Sequence, residues 1–299
     1  MSEAPIARRI LERIRQQLRS KVVDLSMIRA WNEFAEALQN SVVTPETLRN
    51  THPAHSIYLH VQNQMSVMAE QLLGLPEMRT FAKIIGAAHD EYMPSWPPMS
   101  PISTSYFWCW SNFDATANAH RETLGSVTLR IAAEFGVHRK MLSLMQSFNN
   151  SRMSLYRVEG HTDACVQLRD LVTNQPCLAA CESGYAGNAG EIWFTRVLPP
   201  ALTGQSEHVV FTSPYVLISP DATGWRQYLD RIAAKDPCRS RVEALGRHLK
   251  WGTTRRYWPE FVFEGYVSHH PGAIFLKGLP DVPESRPHSR EYVRHADEH

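Results

Sequence analysis

The sequence predicts an α+β fold, with a helical N-terminal half, then a small antiparallel β-sheet or barrel, and then C-terminal helices. Up to residue 150 the apolar side chains recur at helical spacing, beginning with Ile6, Ile10 and Ile14. From residue 151 apolar and polar residues alternate in short segments, which is typical of strands. Hydrophobic residues make up 43% of the 299 residues and charged residues 20%, as in ordinary globular proteins.

Three segments of the first half are predicted to be helical. Residues 4 to about 40 keep an apolar stripe at i, i+4 steps. Thr44-Pro45-Glu46 combines a capping hydroxyl, a proline suited to the first helical position and an acid in the first turn, which predicts a second helix start. A third helix is expected from Pro76 to His89. The prolines between residues 93 and 101 predict an extended segment that leads into the aromatic cluster 106–110.

The second half is predicted to contain four or five strands followed by a helix. A helix is expected from Asp221 to about Trp251, and the proline-rich, charged composition beyond Pro280 predicts disorder. The chain then divides into a helical domain over 1–150, a β-rich unit with packed helices over 151–280, and a tail over 281–299. The predicted strands lie at 153–158, 165–171, 177–181, 191–198 and 208–218.

The amino-acid composition argues against a membrane-spanning or secreted protein and against a strongly basic one. No apolar run is long enough to cross a bilayer, and the N-terminal apolar residues are interleaved with arginines, unlike a signal peptide. Five cysteines, an odd number without regular spacing, favour reduced thiols and a cytoplasmic location. A net charge of +1 excludes a strong overall attraction to nucleic acid but leaves room for local basic patches.

Residues 128–147 resemble a helix-turn-helix, the first of two candidate nucleic-acid surfaces. Ile131, Ala132 and Phe135 would form the inner face of the first helix, and Gly136 the turn. Val137, Leu142 and Met145 would close the core from the second helix. An ordinary αα-hairpin has the same spacing, and Met141 and Leu144 on the outer face favour that alternative. The residues expected to face outward and to contact phosphates and bases are Arg139, Lys140, Ser143 and Gln146, next to His138.

The second candidate surface is the basic segment 226–256. Its nine cations outnumber three acids (Asp230, Asp236 and Glu243), and five Trp and Tyr residues are interleaved with them. Cations that neutralise phosphates beside aromatics that stack on bases are typical of single-strand binding. An amphipathic helix with a solvated basic face is the alternative. The binding residues expected here are Arg239, Arg241, Arg247, Lys250, Arg255 and Arg256.

Two further functions remain open from the sequence. The aromatic and proline-rich run from Trp96 to Trp110, if exposed, would suit a module that docks a partner protein. His161, Asp163 and the distant His208 have the outline of the two-His-one-carboxylate triad of iron- and 2-oxoglutarate-dependent oxygenases, which would make the protein a metal-dependent enzyme.

The leading hypothesis is a nucleic-acid-associated accessory or regulatory protein without catalytic activity. No nucleophile elbow, phosphate loop or paired Glu-x-x-His motif occurs in the chain, so no catalytic residue, metal ligand or cofactor is assigned. Nucleic acid is the expected partner, a protein is a possible second one, and no membrane contact is expected. Of the two basic surfaces, the apolar Met141 and Leu144 favour the 226–256 segment, with Arg255 and Arg256 as its main contacts.

Overall fold

A computed structural model describes residues 4–19, 46, 51–93, 100–162, 165–181, 183–201 and 204–285 of the chain. Within these ranges the α+β class predicted from the sequence is confirmed, with nine α-helices and a closed five-stranded barrel carrying extra strands. The helices are α1 (Pro5–Arg19), α2 (Pro53–Leu73), α3 (Arg79–Tyr92), α4 (Thr104–Cys109), α5 (Leu124–Glu134), α6 (Arg139–Asn150), α7 (Ala222–Ala234), α8 (Arg241–Trp251) and α9 (Tyr257–Glu264).

In the described part of the chain, eight strands form one sheet in the order β1-β2-β3-β5-β4-β6-β8-β7, and β1 also pairs with β4. The extra pairing closes β1, β2, β3, β5 and β4 into the barrel. Most pairs are antiparallel, as predicted, but β3–β5 and β6–β8 are parallel. The strands are β1 (Met153–His161), β2 (Cys165–Asp170), β3 (Pro176–Cys181), β4 (Ile192–Leu198), β5 (His208–Val210), β6 (Tyr215–Ser219), β7 (Tyr266–His270) and β8 (Ala273–Lys277).

The described residues fall into two compact units. The first takes those within 1–86 and 111–150, and its core combines the apolar stripe of α1 with residues of α2, α3 and α5. Ile6, Ala7 and Ile10 of α1 are buried there, as their spacing predicted. The predicted continuation of this helix beyond Arg19 and the helix start at Thr44-Pro45 lie outside the described residues.

The second unit takes the described residues within 87–110 and 151–299 and contains the whole sheet. One sheet face carries an apolar cluster around Tyr156, Leu168 and Trp193. On the other side the Phe194 ring packs against Tyr215 and Trp258, with ring centroids 6.4 and 4.8 Å away. Trp193 and Phe194 are neighbours in β4. Because successive side chains of a strand point to opposite faces of the sheet, this one strand contributes a ring to each face.

Several predicted boundaries in the second half were wrong. The expected strand 208–218 is split into β5 and β6, which pair with different stretches of the same edge of β4. The expected helix 221–251 is interrupted between Ala234 and Arg241, where Asp236-Pro237 cannot continue it. The hairpin β7–β8, which turns at Gly272 (φ +81°), was not predicted at all.

The disordered tail was predicted to begin at residue 281, which is earlier than the described structure ends. Asp281 accepts two hydrogen bonds from the Arg231 guanidinium, at 3.0 and 3.1 Å. Ser285 Oγ accepts the Leu279 N–H at 2.9 Å and donates to the Val282 carbonyl at 2.8 Å. Residues 281–285 are therefore part of the second unit, because each end of the segment is held by specific bonds.

Candidate nucleic-acid interface

Local capping bonds define the start and end of helix α5. At its start the Thr123 hydroxyl accepts the Ser126 N–H at 3.1 Å, and the Ser126 hydroxyl accepts the Thr123 N–H at 2.9 Å. At its end the Gly136 N–H bonds the Ala133 carbonyl at 3.3 Å and the Val137 N–H bonds the Ala132 carbonyl at 3.1 Å, which is a Schellman motif. Such a motif requires a left-handed residue.

Gly136 supplies that residue with φ +74°, and only glycine adopts this conformation without strain. His138 then caps α6, since its Nδ1 accepts the Lys140 N–H at 3.3 Å. The two helices are thus joined by the short Phe135–His138 connection around a glycine, as the sequence predicted for the helix-turn-helix-like segment. The pair spans 124–150 instead of 128–147.

Buried aromatic contacts fix which face of α6 points inward. The Phe148 ring stacks on Phe113 at 5.2 Å and meets the edge of Tyr58 at 5.3 Å. A Cβ atom on Gly125 would lie 2.5 Å from the Phe113 ring, so this close approach depends on glycine. Met145 is fully buried beside them. The opposite face of α6 is therefore held outward by packing in the first unit.

One inner-face prediction for this segment was wrong. Phe135 is 54% exposed, although the pattern placed it with Ile131 and Ala132 in the core. Helix α5 ends at Glu134, so Phe135 is its C-cap and lies one turn beyond the last buried position of the stripe. Val137 and Leu142 are half-buried, as are Met141 and Leu144.

The four residues predicted to face outward on α6 are all exposed. Arg139, Ser143 and Gln146 follow one another at i, i+4 and i+7, and Lys140 flanks them. The stripe continues to Asn150, whose Oδ1 accepts a hydrogen bond from Gln146 Nε2 at 2.7 Å. Within the described ranges the Arg139 and Lys140 side chains have no acidic partner.

Three of these four residues also line a groove of about 730 Å³ between α5, α6 and the loop that precedes α5. Helix α5 contributes a stripe at i, i+3, i+4 and i+7, namely Ser126, Leu129, Arg130 and Ala133. The preceding loop adds His120, Arg121 and Glu122 to the lining, and Ala4, Arg139, Leu142, Ser143 and Gln146 complete it.

Glu122 is the one acid among the described residues that line the groove, and its carboxylate already accepts hydrogen bonds. Its oxygens accept the Ile6 and Ala7 N–H groups of the first turn of α1 at 3.1 to 3.2 Å, and the Asn118 Nδ2 group at 2.6 Å. Its negative charge is thus balanced in part by the positive end of a helix dipole. The lining thus carries three arginines against one acid that is already hydrogen-bonded.

Arg121 and Arg130 were not among the predicted site residues, since the prediction was limited to the second helix of the pair. Arg130 could have been found, because it shares a helix face with Ser126 and Ala133 in the printed sequence. Arg121 could not, because the loop that carries it has no periodic pattern. Its φ of +57° is unusual for a residue with a Cβ atom.

Part of the charge of the second candidate surface is balanced by ion pairs, two of them with acids outside the segment. Arg256 pairs with Glu91, and Arg231 pairs with Asp281. Inside the segment Arg239 pairs with Asp236, and Arg241 Nη2 lies 3.1 Å from Asp230 Oδ1.

Other cations of this segment contact uncharged groups or solvent. The Lys250 ammonium donates to the Ser151 carbonyl at 2.8 Å, and the Arg247 guanidinium lies over the Trp251 ring at 5.5 Å. Arg226, Lys235 and Arg255 are exposed.

The aromatics of the same segment are not arranged for stacking on bases. Trp225 and Tyr228 are fully buried, and Trp258 is buried with its indole N–H donating to the His248 carbonyl at 2.9 Å. Trp251 and Tyr257 are half-buried. The interleaved aromatics therefore serve mainly the core of the second unit, which is the alternative that the sequence had left open.

The aromatic run proposed as a docking segment is packed inside the second unit where it is described. Tyr106 is buried against Tyr215 at 5.5 Å, and the half-buried Trp108 contacts Phe211 at 6.1 Å. Cys109 and Trp110 are buried as well. Trp96 and its prolines lie outside the described residues.

The predicted iron triad of His161, Asp163 and His208 includes one residue, Asp163, that lies outside the described residues. His161 is exposed at the end of β1, His208 is half-buried at the start of β5, and Asp163 is not described. Burial lowers the pKa of His208 below its ordinary value. Across the described ranges no three His, Cys, Asp or Glu side chains cluster as a metal would require.

Comparison with protein-family models, with curated proteins and with solved structures gave no match to this chain. In the part of the chain that the structure describes, no helix combines the length and the apolar character needed to span a bilayer.

Proposed function

We propose that this protein is a nucleic-acid-associated accessory or regulatory factor without catalytic activity, and that it contacts nucleic acid through α5 and α6. The observation that carries the proposal is the exposed stripe of α6. Its cations Arg139 and Lys140 have no acidic partner among the described residues and stand beside two hydrogen-bonding side chains, Ser143 and Gln146. Cations that are not paired within the protein can neutralise phosphates. The counterions that this releases from the nucleic acid favour binding.

The charge of the neighbouring groove supports the same assignment. Arg121 and Arg130 line it together with Arg139. Arginine binds phosphate through a planar fork of donors, and hydroxyl and amide groups beside it add hydrogen bonds to phosphate or base edges. The 226–256 segment is less favoured because most of its arginines already pair with acids and its Trp225 and Tyr228 rings are buried. The odd number of cysteines without regular spacing supports the cytoplasm as the proposed location.

A fluorescence-anisotropy titration of labelled DNA and RNA at increasing salt tests the proposal. We expect binding at low salt whose affinity falls steeply, with a log–log slope of about −3 if four cations contact phosphates. A complete lack of binding at about 50 mM salt, for single and double strands alike, would refute it.

A further inference from the structure

We infer that the α5–α6 groove takes a single strand of nucleic acid and not a duplex, an inference that rests on the function proposed above and specifies its ligand. A helix that reads duplex DNA protrudes, so that its N-terminal residues enter the major groove. Here the corresponding residues Arg139, Ser143 and Gln146 line an open groove shared with α5 and the loop before it. Both helices and the loop border its volume of about 730 Å³.

The chemistry of the groove matches the parts of a nucleotide strand. Arg121, Arg130 and Arg139 come from the loop, α5 and α6 respectively, so cations border the groove on each element that forms it. The apolar side chains of Leu129, Ala133 and Leu142 lie among them. A strand presents phosphates and flat apolar base faces in alternation, and a duplex hides the base faces by stacking.

The groove can stack on bases without a large aromatic ring. Bases stack on guanidinium planes, and Arg130 and Arg139 bring such planes to the groove from its two helices. Ser143 and Gln146 add donors and acceptors, and the Watson–Crick edges of bases are open to such groups only when the bases are unpaired.

The variant that separates the shape of the groove from its charge is Ala133→Leu. Ala133 is exposed and lines the groove, so a branched aliphatic side chain there occupies part of the space, offers no ring for base stacking and leaves every cation in the sequence. Ala82→Leu is the matched control, since Ala82 is an exposed helical alanine of the same unit that does not line the groove. Thermal melting of both variants establishes that each one folds.

The experiment titrates the full chain with labelled single strands of about 12 nucleotides, oligo-dT and oligo-U, and with a duplex of the same length. We expect single strands to bind at least tenfold tighter than the duplex. We expect Ala133→Leu to weaken single-strand binding at least threefold, with Ala82→Leu unchanged. Tighter binding of either oligo-dT or oligo-U supports the inference equally. The preferred strand shows whether the groove favours a deoxyribose or a ribose backbone.

Three results would overturn the inference while the proposed function stands. These are duplex binding as tight as single-strand binding, an Ala133→Leu variant that binds like the wild type, and equal competition by poly-glutamate of the same charge. A protein that binds no nucleic acid in any arm would instead refute the proposed function itself.

Discussion

Glu122 shows how one buried side chain can hold two distant segments of the first unit together. It accepts N–H groups from the first turn of α1, 115 and 116 residues away in the chain. The first N–H groups of a helix have no partner within the helix, so they need an acceptor from elsewhere. Glu122 also lines the groove. The position of its side chain there is held by its hydrogen bonds to the first turn of α1.

We predict that Glu122→Gln lowers the free energy of unfolding by about 2 kcal/mol, since charge-assisted bonds at a helix N-terminus are lost. Urea denaturation measures the effect. Glu12→Gln is the control, because Glu12 is exposed and its pair with Arg8, at 3.9 Å, is a surface ion pair worth under about 1 kcal/mol. Equal effects of the two substitutions would contradict the capping role.

His248 gives the second unit a pH dependence whose direction follows from burial. Its Nε2 lies 2.7 Å from the Tyr228 hydroxyl, and burial, followed by the charge of Lys235, lowers the pKa of His248 to about 4. The unfolded chain titrates near 6.5. Below that pH the unfolded state takes up the proton first, so stability is full above pH 6.5 and falls as the pH drops towards 4.

We predict a loss of about 2 kcal/mol from this residue between pH 7 and pH 5. Urea midpoints of the wild type and of His248→Gln at both pH values measure it, and the variant should lose less. His208, whose pKa is also lowered, remains in both proteins and cancels in the comparison. A variant that loses as much stability as the wild type would show that His248 is not responsible.

At the scale of elements, the α5–α6 connection depends on the backbone of one glycine. Gly136 has φ +74°, and no atom lies within 4 Å of the position that a Cβ atom would take. A substitution there meets no steric neighbour, so only the backbone conformation opposes it. The glycine thus sets the path of the chain from α5 into α6.

We predict that Gly136→Ala destabilises the protein by about 1 to 2 kcal/mol, as measured by chemical denaturation. Gly86→Ala is a sharp control, since Gly86 lies inside α3 with open space around it and an ordinary helical backbone. There alanine should stabilise by up to about 1 kcal/mol. If both substitutions shift stability in the same direction, the account of the turn is wrong.

Features set by neighbouring residues could be predicted from the sequence, and those set by distant contacts could not. The outward position of Arg139, Ser143 and Gln146 followed from helical periodicity. The pairing of Arg256 could not be foreseen, because its acid lies 165 residues away. Phe135 was misplaced because periodicity does not show where a helix ends. The β7–β8 hairpin was missed because its β7 exposes most of its short length instead of alternating clearly.

At the scale of the whole molecule, the cations of the two units have different environments. In the second unit most arginines of the 226–256 segment pair with acids, some of them contributed by other parts of the chain. In the first unit Arg130 and Arg139 have no acidic partner within the described residues. The sequence had favoured Arg255 and Arg256 as the main contacts, and the pairing of Arg256 with Glu91 reverses that preference in our proposal.

The central claim, that nucleic acid binds on α5 and α6, is tested most directly by comparing two double variants of equal charge change in one anisotropy titration. We predict that Arg130→Ala with Arg139→Ala weakens single-strand binding at least tenfold and reduces the magnitude of the salt slope by about 1.4, or 0.7 per lost phosphate contact. Arg255→Ala with Arg256→Ala should change the affinity less than threefold. The opposite ranking, with the Arg255 and Arg256 pair dominant and the groove pair neutral, would contradict the account.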